Sequence, residues 1–212
     1  RLVPLITAIG ASFFLQYTFR GFYGSAFKSY PEVRILKGTI AIGSDLVIQR
    51  LQILVIVTAA LFMLALHLFV QRTKTGKAMR AVSEDKDVAA LMGIDVDRII
   101  VVTFILGGAL AGAAGVLYSL MFRQVQFFMG FIPGIKAFTA AVLGGIGNIP
   151  GAMLGGLFLG IFESLGPTLF LTGLGVPAPY QLKDVVAFVM LVLVLIFRPT
   201  GILGERIAVK KA

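Results

Sequence analysis

The chain has 212 residues, of which 58% are hydrophobic and 14% are charged, and its mean hydropathy is +0.97. This composition excludes an ordinary water-soluble domain, and the absence of cysteine excludes disulfides and Cys-ligated metals. The formal net charge of +9 is typical of a membrane protein with Lys and Arg at its cytoplasmic ends, so a nucleic-acid partner is not expected.

The first half of the chain predicts two membrane helices joined by a long polar connection. Residues 2–19 and 51–70 are hydrophobic runs close to the roughly 20 residues that cross a bilayer. Residues 20–50 carry glycines and short Val/Ile alternations that predict a hairpin. Because the chain enters an apolar run directly at Arg1, we expect earlier N-terminal helices to be missing from it.

The most polar stretch, residues 71–98, predicts a solvated loop with one short amphipathic helix. Ser83 is expected to cap that helix, and Gly93 fits a left-handed C-terminal cap. The apolar residues at helical spacing are Val88, Leu91 and Met92, with Met79 and Val82 just upstream. Such an edge either docks into a groove of a soluble partner or lies against the membrane or the protein's own helices.

The second half predicts a short membrane piece between longer spans. Residues 99–122 form a Gly/Ala-rich span, whereas residues 135–143 rise only about 14 Å as a helix and cannot span alone. A Gly-rich break at 144–151 precedes the spans 152–171 and 182–197. The predicted fold is all-α, a single polytopic transmembrane helix bundle over residues 1–212.

Basic residues predict the orientation of this bundle. Residues 71–98 carry six Lys or Arg, and the tail 198–212 carries four more. The positive-inside rule places both segments in the cytoplasm, and counting spans then places residues 20–50 in the periplasm.

The break at 144–151 is the candidate for a translocation pathway. Irregular backbone at membrane depth is tolerated only where it is buried in protein or lines a water-filled cavity. The pathway candidates are Gly144, Gly145, Gly147 and Asn148, with Glu163 in the following span. The alternative is a tight turn between closely packed helices, which Gly-x-x-x-Gly spacings favour.

Glu163 is a carboxylate inside the predicted span 152–171. An ionisable group at that depth suggests a proton relay or a contact with a substrate ammonium group. Pairing with Lys136 or Lys183 across the bundle is the structural alternative.

Nucleotide and catalytic motifs are rejected. Gly76-Lys77 lacks the flanking residues of a phosphate-binding loop, and the glycines from Gly145 to Gly147 are followed by Pro150 rather than the third glycine of a dinucleotide fingerprint. We therefore expect no enzymatic activity, no metal and no cofactor in this chain.

Three segments carry a family resemblance: GKAMRAVSEDKDVAALMGI at 76–94, LGGIGNIPGAMLGG at 143–156 and FRPTGILG at 197–204. Over at least residues 76–204 the chain resembles LivH-type permeases of bacterial branched-chain amino acid ABC importers. These motifs are shared with permeases for urea or short amides. They therefore identify the class of protein better than they identify its substrate.

The resemblance implies a multi-pass subunit of the bacterial inner membrane that pairs with other proteins. They would be a LivM-like second permease, two cytoplasmic ABC ATPase subunits that bind the ATP, and a periplasmic substrate-binding protein. Residues 76–93 would be the coupling helix seated on an ATPase. Ala89, Ala90 and Gly93 are similar to the EAA-x-x-x-G signature of ABC importers, but the acidic residue and the glycine are each displaced by one position.

Two other functions stay open from the residues alone. An ion- or proton-coupled secondary carrier or channel would use Glu163 in its relay and would need no ATPase. A structural subunit without a pathway would keep Asn148 out of reach of water.

Overall fold

The structure is a computed structural model that describes residues 3–31, 38–42, 46–171, 182–197 and 200–204. The chain forms two compact units, residues 1–130 and 131–212. Helices dominate both units, and the strands of the described residues form only two short two-stranded sheets. The prediction of an all-α membrane helix bundle is confirmed, and the prediction of one domain over residues 1–212 stays a prediction.

The first unit contains five helices and four short strands in its described residues. In chain order they are α1 (Val3–Tyr23), β1 (Lys28–Ser29), β2 (Thr39–Ile42), β3 (Leu46–Gln49), α2 (Arg50–Arg72), α3 (Lys74–Glu84), α4 (Lys86–Leu91), α5 (Val96–Phe122) and β4 (Gln124–Val125). Strands β2 and β3 pair antiparallel from Thr39 opposite Gln49 to Ile42 opposite Leu46, which confirms the predicted hairpin. Helices α2, α3 and α5 contact one another, and α4 contacts α3 and α5.

The second unit contains three α-helices in the part of it that the structure describes. Its elements are α6 (Phe131–Gly144), α7 (Ile149–Gly166), which continues into a π-helical turn (Pro167–Leu171), and α8 (Lys183–Phe197). Each of the three helices contacts the other two. Leu143 and Leu159 form the buried core of the unit, and Val194 and Ile202 pack against them.

Three helices of the described residues are long and apolar enough to cross a membrane: Arg50–Arg72, Val96–Phe122 and Ile149–Leu169. The predicted spans 2–19 and 182–197 are helical where they are described, but these helices do not meet the same criterion of length and hydropathy. Helix α1 is long enough, but Gln16, Tyr17, Thr18 and Arg20 lower its hydropathy. Helix α8 has 15 residues, which rise about 22 Å. Helix α6 has 14 residues, which is more than predicted, but it is still too short to cross the bilayer core.

Candidate functional site

The predicted cytoplasmic loop begins at a close junction between α2 and α3. The Thr73 hydroxyl donates to the carbonyl of Phe69 (2.6 Å) and accepts from the N–H of Gly76 (3.0 Å), so one side chain links the two helices. A Cβ at Gly76 would overlap the carbonyls of Phe69 and Val70. The residue is buried, and glycine is required because the two backbones approach so closely.

The short helix predicted in this loop exists, but its cap differs from the prediction. Ser83 lies in the last turn of α3, where its hydroxyl donates to the carbonyl of Arg80 (2.7 Å). The N-cap of α4 is Asp85, whose carboxylate accepts from the N–H groups of Asp87 (2.9 Å) and Val88 (3.1 Å). The prediction was wrong because the loop holds two helices, and the extended residue between them is Asp85.

The C-terminal cap of α4 follows the prediction. Gly93 has φ +82°, the left-handed conformation that favours glycine. The N–H of Gly93 donates to Ala90 (3.0 Å) and the N–H of Ile94 donates to Ala89 (3.1 Å), which is the Schellman pattern. Both ends of this six-residue helix are therefore held by local hydrogen bonds.

The apolar residues of α3 and α4 divide into two groups. Val88, Leu91 and Met92 are 54%, 87% and 79% exposed, and we call these three residues the α4 tip. Val82 and Ala89 are buried, and Met79 is half-buried. Val82, which was predicted to extend the exposed edge, is instead buried.

The predicted pathway break forms the turn between α6 and α7. Gly145 and Gly147 adopt φ +107° and φ +95°, which residues with a Cβ rarely adopt. A Cβ at Gly144 would overlap the carbonyl of Gly151, and a Cβ at Gly155 would overlap the carbonyl of Ala140. The glycines therefore allow the two helix backbones to pack directly against each other.

Residues 200–204, which we call the C-terminal clasp, lie on this turn. The N–H groups of Ile202 and Leu203 donate to the carbonyls of Leu143 (2.9 Å) and Gly144 (3.0 Å). A Cβ at Gly201, which has φ +79°, would lie 2.5 Å from the N of Gly145. The docking of the segment FRPTGILG was not predicted from the sequence, where Gly201 and Gly204 are the residues that could have indicated it.

Asn148 connects the turn to the clasp. Its Oδ1 accepts from the N–H of Gly151 (2.9 Å) at the start of α7, and its Nδ2 donates to the carbonyl of Leu203 (3.1 Å). The described contacts of Asn148 are thus structural, and its place in a translocation pathway stays a prediction, as it does for Gly144, Gly145 and Gly147.

Two substitutions measure the separate contributions of the two side-chain hydrogen bonds of Asn148 to stability. Asn148→Ala removes both and is expected to destabilise the folded protein by about 2 kcal/mol, since a lost N-cap costs about 1 kcal/mol and a lost hydrogen bond about as much. Asn148→Ser keeps a capping oxygen and removes only the donor to Leu203, so about half of that loss is expected. Thermal unfolding of the purified protein in detergent measures both, and equal losses would contradict this division of roles.

Glu163 lies in an ion-pair network that joins the three helices of the second unit. Lys136 on α6 contacts Glu163 on α7 and Asp184 on α8, each at 2.7 Å, while Lys183 lies 3.9 Å from Glu163. The side chains of Lys136 and Glu163 are 19% and 20% exposed. The predicted pairing of Glu163 is thereby confirmed, and the participation of Asp184 was not predicted.

Comparison with known proteins identifies close relatives. A family model described as "branched-chain amino acid transport system / permease component" matches residues 2–195. The high-affinity branched-chain amino acid transport system permease protein BraD of Pseudomonas aeruginosa is 48% identical over 209 residues, which are 97% of this chain and 65% of BraD. The corresponding permease protein LivH of Escherichia coli (strain K12) is 43% identical over the same shares of both chains.

The chain is also similar to a second kind of permease from the same class of transport system. The probable branched-chain amino acid transport permease protein LivM of Methanocaldococcus jannaschii is 30% identical over 155 residues, which are 66% of this chain and 43% of LivM. The chain spans about two thirds of the length of BraD and LivH. No solved structure matches it.

Proposed function

The chain belongs to the family of permease components of branched-chain amino acid transport systems, and we propose that it is the membrane subunit of an ATP-driven importer for branched-chain amino acids or related small substrates. The observation that carries this proposal is the 48% identity to BraD across 97% of the chain. The exposed α4 tip supports it from the structure, because an importer subunit without a nucleotide site needs a contact surface for its ATPase.

The proposed assembly contains a second, LivM-like permease, two cytoplasmic ATPase subunits and a periplasmic substrate-binding protein in the bacterial inner membrane. Similarity to LivM as well as to LivH is consistent with paralogous permeases that pair. The ATPases bind and hydrolyse the ATP, so this chain needs no cofactor of its own. The binding protein determines most of the substrate selectivity.

The proposed mechanism is alternating access driven through the α4 tip. ATP-driven closure of the ATPases moves α4, and the movement passes into α5 because α3 and α4 both contact that helix. Within this scheme Val88, Leu91 and Met92 contact the ATPase, Val82 and Met79 support them, and Gly93 ends the helix so that the tip projects. The pathway role of Gly144, Gly145, Gly147, Asn148 and Glu163 remains part of the proposal.

Uptake into proteoliposomes tests this function. Labelled leucine is supplied outside vesicles that hold the full-length protein and its partner subunits, with ATP inside or with a proton gradient alone. Uptake that requires both ATP and the binding protein is the expected result. Uptake driven by the gradient in the absence of the ATPases would establish a secondary carrier instead.

The substitution Glu163→Gln, in the second unit, also distinguishes an ATP-driven importer from a proton-driven secondary carrier. ATP-driven uptake is expected to stay within about twofold of the unsubstituted protein, since Lys136 keeps its 2.7 Å contact with Asp184 and a partly exposed ion pair contributes only about 1 kcal/mol. Lys136→Met is the matched control, and it is expected to lower the melting temperature more because it leaves two carboxylates adjacent. Abolished uptake in Glu163→Gln with unchanged thermal stability would show that transport requires an ionisable group at this position, as a proton relay in a secondary carrier does.

A further inference from the structure

The end of α1 and the segment after α5 form a cluster of aromatic rings and cations. The Cζ of Arg20 lies 5.4 Å from the ring centre of Phe127 and 5.9 Å from that of Tyr17. The Nζ of Lys28 lies 5.0 Å from the ring centre of Tyr23. We call these five residues the aromatic–cation cluster.

Backbone pairing places the cluster at one end of α5. Lys28 and Ser29 of β1 pair with Val125 and Gln124 of β4, which follows α5 after one residue. The rings of Tyr17 and Phe127 lie 6.2 Å apart, so the last turns of α1 are at the same level. Because α5 is long and apolar enough to cross the bilayer, a membrane surface is expected near its end, which is the level of the cluster.

The surroundings of the cluster fit the interface between lipid and water. The side chains of Phe14, Phe19 and Phe22 on α1 are exposed, so apolar rings surround the cluster at the end of the helix and one turn before it. Aromatic residues are enriched at the level of lipid headgroups, where one part of the ring is apolar and the other is wet. The first carboxylate of the chain is Glu32, so residues 1–31 bring positive charge without any acidic side chain.

We propose that the aromatic–cation cluster binds the phosphate of an anionic phospholipid headgroup, in the leaflet opposite the loop 71–98. A guanidinium held over ring faces keeps its in-plane N–H groups for a planar arrangement of anion oxygens. Lys28, which is exposed, adds a second charge on the neighbouring turn. An acidic protein surface is the other partner that such charges suit, but the exposed phenylalanines favour lipid because they place apolar rings beside the charges.

The absence of tryptophan from this chain permits a local test. Phe128→Trp places a reporter beside Phe127, whose ring centre lies 6.2 Å from that of Phe128. The full-length protein, with any other tryptophan replaced, is reconstituted in vesicles that contain phosphatidylcholine and phosphatidylglycerol. One lipid or the other is brominated near its headgroup, and the quenching of the reporter is compared at equal mole fractions.

Brominated phosphatidylglycerol is expected to quench the Phe128→Trp reporter at least about twofold more strongly than brominated phosphatidylcholine. The double substitution Arg20→Gln and Lys28→Gln is expected to remove this preference for phosphatidylglycerol. The pair Arg20→Lys and Lys28→Arg keeps both charges and should retain much of it. Leu61→Trp, an exposed position within α2, is the matched control and should show no preference. Equal quenching of the Phe128→Trp reporter by both lipids would overturn the proposal, and protection from both lipids would assign the cluster to a protein partner.

Discussion

Leu91→Asp is expected to reduce ATP-driven leucine uptake by more than about tenfold while leaving the purified protein folded. A tenfold change corresponds to about 1.4 kcal/mol, and an apolar anchor at the centre of a protein interface commonly contributes more than that. Leu91 is the most exposed residue of the α4 tip, so a carboxylate there stays in water until a partner covers it. The measurements are uptake, melting temperature in detergent and co-purification with the ATPase.

Ala89→Asp is the control for this prediction, because it introduces the same side chain two residues away at a position that is 3% exposed. A buried carboxylate without a partner destabilises the fold, so this variant is expected to yield little folded protein. If Leu91→Asp behaved in the same way, Leu91 would pack internally. If it assembled and transported normally, the α4 tip would not be the contact with the ATPase.

Gly155→Ala is expected to destabilise the second unit by about 2 kcal/mol or more, because the added methyl overlaps backbone atoms of α6 that have no room to move. The carbonyl of Ala140 is the nearest obstacle, and the N of Gly144 lies 2.7 Å from the position of the added Cβ. A loss of that size lowers the melting temperature by roughly 4–8 °C in a protein of this length. Thermal unfolding in detergent measures the shift, and transport is expected to fall with the amount of folded protein.

Neighbouring glycines of the same helix provide matched controls. A Cβ at Gly156 would meet the Cβ of Ala140 at 3.8 Å, an ordinary contact, and a Cβ at Gly160 would meet nothing within 4 Å. Gly156→Ala and Gly160→Ala are therefore expected to be neutral or stabilising by up to about 1 kcal/mol, as alanine favours helix over glycine. A similar loss of stability at all three positions would show that α6 and α7 do not pack through Gly155.

Features that depend on neighbouring residues were predictable from the sequence. Hydrophobic runs of the required length predicted α2, α5 and α7, since each run must be removed from water whatever its neighbours are. Gly93 predicted the C-terminal cap of α4 because the left-handed conformation disfavours a Cβ. The cap at Asp85 was missed because Ser83 and Asp85 are both good capping residues, and the choice depends on where α3 ends.

Features that join distant residues were decided by the tertiary structure. Asn148 and Leu203 are 55 residues apart, and no periodicity indicates that the clasp returns to the α6–α7 turn. The sequence offered Lys136 and Lys183 as equal partners for Glu163, whereas the packing of three helices places Lys136 between Glu163 and Asp184. Hydrophobic periodicity records which residues avoid water, but the partner of a polar group is determined by which helices meet and at what depth. Hydrophobic runs and local motifs thus identified helices α2, α5 and α7 and the family of this protein. The exposure of the α4 tip and the docking of the C-terminal clasp on the glycine turn follow instead from tertiary packing, because both depend on which segments meet.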